Sequence, residues 1–203
     1  MHVDKVILRA ALSTLAAILA LIAFMVLTLS LAFPSTWMKI SYDLGMDGVS
    51  VRSAKRAYDY SGDVAYIAYA TEVAIGADDD ERIEECGELF IADDDFVSYC
   101  SARNQTLPEG ADGEYEQYVY GQVSVAKYRL GDKDGAVDTA FDGVESGFPK
   151  NNAVVSLLLT ALQAEDAATV DKIETKMNEM AETIASDTER AYLEEMRSLA
   201  ENG

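Results

Sequence analysis

The chain has 203 residues, with 36 acidic against 16 basic side chains and a formal charge of −20. Such a charge repels nucleic acid and anionic surfaces, which argues against polyanion binding as an occupation. One histidine, His2, and two cysteines leave no histidine-activated nucleophile and no zinc cluster to build an active site from.

The charge is unevenly placed. A run of 24 residues from Ala10 to Phe33 is uncharged, with only Ser13, Thr14, Thr28 and Ser30 as hydroxyls. As a helix it is about 36 Å long, enough to cross a hydrocarbon core of about 30 Å. Lys5 and Arg9 precede it, and Pro34, Trp37 and Lys39 follow, which are residue types found at membrane interfaces. A cleaved signal peptide is the alternative, with Ser30-Leu31-Ala32 as a loose small-x-small site, but its apolar core is normally about 7 to 15 residues. A buried core helix is the third reading, and no other segment is apolar enough to surround it. The sequence divides into a head (1–9), a transmembrane anchor (10–33), a juxtamembrane segment (34–48) and a helical domain (49–203). The short head favours a cytoplasmic amino terminus and an exported body.

Past residue 33 the chain carries −21. Helical periodicity predicts segments at 36–44, 49–60, 63–76, 80–91, 94–103, 114–130, 133–146, 151–163, 167–184 and 187–201. Ala136, Val137, Ala140, Phe141 and Val144 form one apolar stripe, and Val170, Ile173, Met177, Met180 and Ile184 another. Gly45, Gly62, Gly131 and Gly147 suit left-handed helix ends, and Asp63 and Asp187 suit the caps that follow such ends.

Leu130-Gly131-Asp132-Lys133-Asp134-Gly135-Ala136-Val137, then Gly143-Val144-Glu145 and Pro149, resembles the centre and end of a tetratricopeptide repeat. Ala136 and Gly143 match the small positions of that family, Ala126 and Tyr128 fit its first helix, and Tyr120 stands in for its early aromatic. An earlier copy runs through Ala57-Tyr58-Asp59-Tyr60-Ser61-Gly62-Asp63, with Gly62 two periods of about 34 residues before Gly131. Segment 80–103 is then a divergent unit and 151–184, turning at Ala164-Glu165-Asp166, the last one. Helix 187–201 would cap the array. The resemblance implies an all-α right-handed array of antiparallel hairpins that binds a protein or peptide in a concave groove; the scarcity of histidine and cysteine separately predicts no cofactor and no catalysis. An irregular helical bundle is the alternative.

Candidate chemistry is sparse. Asp132-Lys133-Asp134-Gly135 begins like a calcium loop, but Phe141 stands where that loop needs glutamate. Asp78-Asp79-Asp80-Glu81 and Asp93-Asp94-Asp95 precede predicted helices, where carboxylates favour the helix N-terminus; cation binding there is the competing functional class. A structural subunit of an envelope assembly is a third class. Cys86 and Cys100 fall on neighbouring predicted helices and would pair only in an exported body; two buried thiols are the alternative. Among the tyrosines, Tyr58, Tyr66 and Tyr128 fall on apolar stripes, while Tyr115 and Tyr118, after the Pro108–Gly113 loop, are the candidates for contact with a partner.

Overall fold

A computed structural model describes residues 2–106, 115–143, 152–183 and 198, with side chains described from residue 7 and, in the last helix, to residue 179. Helix α1 (His2–Ala32) runs unbroken through head and anchor, and Ile7–Ala32 within it is long and apolar enough to cross a membrane. Over most of its length its side chains are exposed, Leu12, Leu19, Leu21 and Phe24 more than half so, and only its last turns, at Val26 and Ser30, meet the body. Pro34 then restarts the chain as α2 (Pro34–Asp43), since proline fits the first turn of a helix and ends the one before it.

The body continues as α3 (Asp47–Ser61), α4 (Val64–Gly76), α5 (Asp80–Ile91), α6 (Phe96–Asn104), α7 (Tyr115–Leu130), α8 (Lys133–Asp142), α9 (Asn152–Gln163) and α10 (Ala167–Thr183). No strand occurs among the described residues. Gly62 (φ +66°) and Gly131 (φ +95°) reverse the chain after α3 and α7 in the left-handed region, where a side chain would be strained. Asp63 and Asp132 then cap α4 and α8 by accepting the amides of Ala65 and Gly135. The turn after α9 uses Glu165 at φ +53°, followed by Asp166, whose carboxylate accepts from the Thr169 hydroxyl at 2.7 Å. The predicted helix 133–146 ends at Asp142 in the described part; 144–146, Gly147, Pro149, Asp187 and, apart from residue 198, helix 187–201 lie outside the described residues.

Segment 34–48 is part of the folded body. Trp37 and Met38 of α2 are buried, and Met38 joins a core with Val51, Ile67, Ile83, Phe90, Phe96, Val119 and Val123 drawn from α3 to α7. A second core, built on Ala136, Phe141, Val154, Leu157, Ile173 and Met177, joins α8, α9 and α10. Each large apolar side chain so buried contributes about 1.5–3 kcal/mol relative to exposure.

Helix α7 stands between them, packing on α5 at one side and on α8 and α9 at the other. These approaches require absent side chains. A Cβ placed on Gly87 of α5 would collide with Val123 of α7, and one on Gly121 would come within 3.2 Å of the Ala153 Cα. Beside these alternate-helix contacts, α6 packs on α4 and α7, and α10 on α8 and α9.

Gly87→Ala should therefore destabilise the chain by about 1–3 kcal/mol through overpacking. Gly76→Ala, where a Cβ meets nothing within 4 Å, should leave the melting temperature unchanged or raise it. Thermal melts of the two variants check this, and equal melting temperatures would contradict the α5–α7 contact.

Candidate functional site

Glu72 on α4 is the side chain about which the polar and aromatic groups of this face are arranged. It sits one helical turn beyond Tyr69 and points away from the core side of α4, where Thr71, Val73 and Ala74 are buried. The Tyr115 hydroxyl donates to Glu72 Oε1 at 2.7 Å, and the Arg103 guanidinium lies 3.4 Å from the same oxygen. Arg103 also sits over the Tyr115 ring, 5.8 Å from its centroid, adding a cation–π contact.

Tyr115 begins α7. Its amide, an orphan donor at a helix start, is satisfied by Asn104 Oδ1 at 2.7 Å from the end of α6. Its ring packs against Phe90, Tyr99 and Tyr118 with centroids 6.2–6.5 Å apart, and Phe90 meets Phe96 edge-on at 4.8 Å. Burial and the Glu72 bond push the Tyr115 hydroxyl far above its ordinary range, so it remains a donor.

On the other side of Glu72 a cleft of about 410 Å³ opens between α2, α3 and α4. Tyr42 and Tyr69, edge-on at 6.2 Å, wall it, and Asp47 and Glu72 supply two carboxylates. The Tyr69 hydroxyl lies 3.3 Å from Ser50 Oγ, which itself donates to the Met38 carbonyl at 2.7 Å, fixing one wall to α2 and α3. Aromatic faces beside carboxylates suit a cationic side chain, by cation–π attraction and by ion pairing.

The two tyrosines singled out by sequence have different placements. Tyr115 is 7% exposed and spends its hydroxyl on Glu72, whereas Tyr118 is 43% exposed beside it. Tyr58, Tyr66 and Tyr128 are half-buried against the cores, and the hydroxyls of Tyr58 and Tyr128 donate to Asp93 at 2.6 Å and Asp166 at 3.1 Å. Tyr42, Asp47, Tyr69, Glu72 and Arg103 escaped sequence reasoning. The only signal was Tyr69 and Glu72 at i, i+3 on one helix face.

The acidic clusters are engaged with their own fold. Asp79 caps α5 and pairs with Arg82, Asp78 and Asp80 flank Arg129 at 2.9 and 3.2 Å, and Asp93 takes the Tyr58 hydroxyl. Among the described residues no group of three or more His, Cys, Asp or Glu is arranged to hold a metal ion. Cys86 and Cys100 are both buried free thiols. Burial pushes each of them up to about 12.

Set against known proteins, the chain matches no family model, no curated protein and no solved structure. Its functional reading rests on its own residues.

Thiols held neutral by burial resist thiolate chemistry. Ellman's reagent at pH 8 should find no reactive thiol in the folded chain and two after unfolding in guanidinium. Fast reaction in the folded state would contradict the burial, and none after unfolding would show a bridge. The raised thiol and tyrosine groups also set a sign with pH. Each favours the folded state while protonated, in full below its ordinary range, and that stability is lost as pH climbs from about 9 toward 12.

Proposed function

We propose that this is a single-pass membrane protein whose acidic, tetratricopeptide-like body binds a basic segment of another protein close to the bilayer, as an adaptor and without catalysis. The observation that carries the reading is the cleft between Tyr42 and Tyr69 with Asp47 and Glu72 at its edge. Two aromatic rings and two carboxylates fit a lysine or arginine side chain better than any other protein group. Asp47 has no basic side chain in ion-pair contact among the described residues, so one carboxylate is free to meet an incoming cation.

Three further features support it. Helix α1 is long and apolar enough to anchor the body. Alternate helices pack on one another, α5 on α7 and α7 on α9, with α4 on α6 and α8 on α10, as stacked helical hairpins do. The net charge of the chain attracts basic partners over distances set by salt. We read the body as exported, with the short amino-terminal head retained; labelling of intact cells with an impermeant amine reagent reports the side.

The test uses the full chain in detergent micelles and a fluorescent oligolysine peptide at physiological salt. The double variant Asp47→Asn, Glu72→Gln should weaken binding about tenfold, the size expected for losing charge-assisted contacts. A control with the same change of charge, Asp94→Asn with Asp171→Asn at exposed positions elsewhere, should bind as the parent does. Equal weakening in both would mean that net charge alone attracts the peptide, and the cleft would be no site.

A further inference from the structure

Where α1 ends, the backbone creates a need that α3 answers. Pro34 has no N–H, so the Ser30 carbonyl four residues earlier lacks its intrahelical donor. Arg56 of α3 supplies one, its Nη1 donating to the Ser30 oxygen at 2.6 Å. This bond draws a guanidinium against the last turn of α1. Between the two helices lies a cleft of about 350 Å³, lined by Val26 and Ser30 of α1, Trp37 of α2, and Val49, Arg52 and Arg56 of α3.

The charges around this cleft differ from those of the rest of the body. Among the described residues after α1, eight basic side chains from Lys55 to Lys176 each have a carboxylate oxygen within 4.0 Å. The other three, Lys39, Arg52 and Arg56, have none, and two of them line the cleft. In a chain with more than two acids per base, two of the three cations left unmatched among these described residues stand where α1 emerges. If Ile7–Ala32 spans the bilayer, about 39 Å of helix exceeds a hydrocarbon core of about 30 Å, which puts Ser30 at the level of lipid headgroups.

We propose that this cleft holds the phosphate of an anionic phospholipid in the leaflet on the body's side. Arg52 and the remaining guanidinium donors of Arg56 bind the phosphate oxygens, and an acyl chain runs down α1 past Val26. Arginine forks match phosphate geometry and bind its oxygens bidentately. The bound lipid would fix the body against the membrane and set the direction in which the Tyr42–Tyr69 cleft faces. The inference rests on the reading of α1 as a membrane span, and its test reports on the two separately.

The full chain is reconstituted in nanodiscs of phosphatidylcholine containing phosphatidylglycerol, released into gentle detergent and weighed by native mass spectrometry. The parent should retain phosphatidylglycerol in preference to phosphatidylcholine. Arg52→Gln, which leaves the Arg56–Ser30 bond intact, should lower that retention about tenfold, and Arg52→Lys should restore part of it. Lys133→Gln, on a distant ion pair, should retain lipid as the parent does. Equal retention by parent and Arg52→Gln, or no preference between the two lipids, overturns the proposal. Stabilisation of lipid-free protein by inorganic phosphate alone, lost in Arg52→Gln, would show a free-phosphate site and overturns it as well. Flotation of the same samples with liposomes decides the span independently: a parent that fails to float removes the anchor itself.

Discussion

Helix α7 has to be buried from both sides, and the rest of the body depends on how that is done. Val119, Val123 and Ala126 of α7 are fully buried, facing the first core, while its Ser124 hydroxyl donates to the Ala136 carbonyl of α8 at 2.8 Å. How closely helices approach is set by the side chains at their crossing, and here the crossing positions carry none. They are Gly87 on the α5 side and Gly121 on the α9 side, and dispersion gained over the whole contact outweighs the roughly 1 kcal/mol that each glycine costs its helix. The two cores are thereby joined through one element, so an error in α7 would propagate to both.

Polar contacts then fix relative positions that packing alone leaves loose. Asp166 shows how. Its carboxylate takes Lys133 Nζ at 2.6 Å, the Thr169 hydroxyl at 2.7 Å and the Tyr128 hydroxyl at 3.1 Å, so one side chain at a turn ties α7, α8 and α10 together. Lys133 and Thr169 hold it charged well below the usual carboxylate range. Most of the other ion pairs, such as Lys176 with Asp138 at 2.6 Å, are exposed and worth little individually. Their collective effect is to use up the cations of an acidic surface. Among the described residues past α1, those left over are Lys39, Arg52 and Arg56, and the two arginines line the cleft against the end of the apolar helix.

Local physics was legible in the sequence. Glycine and aspartate punctuate helices by backbone freedom and amide capping, so the segments 63–76 and 80–91 agree with α4 and α5 to within one residue. The apolar length of α1 was equally plain. Contacts made across long stretches of chain were not. Tyr115 reads as a ring for contact with a partner because it follows the Pro108–Gly113 loop, yet Glu72, 43 residues earlier, and Phe90 enclose it. The Tyr42–Tyr69 cleft depends on α2 packing back onto α3, and nothing local in 34–48 announces that Trp37 and Met38 are core. Arg56 reads as one more surface charge until the missing N–H of Pro34 is paired with it in space.

The alternate-helix contact of α7 with α9 is the claim on which the architecture stands, and a designed crosslink tests it most directly. A Cβ on Gly121 would lie 3.6 Å from the Ser156 Cβ, within the usual disulfide range of about 3.5–4.5 Å. With Cys86 and Cys100 replaced by alanine, the Gly121→Cys, Ser156→Cys variant should form an intramolecular bond on mild oxidation, seen as a faster-migrating monomer that reverts on reduction. A variant that stays reduced, or that links only between chains, would contradict the placement of α9 against α7.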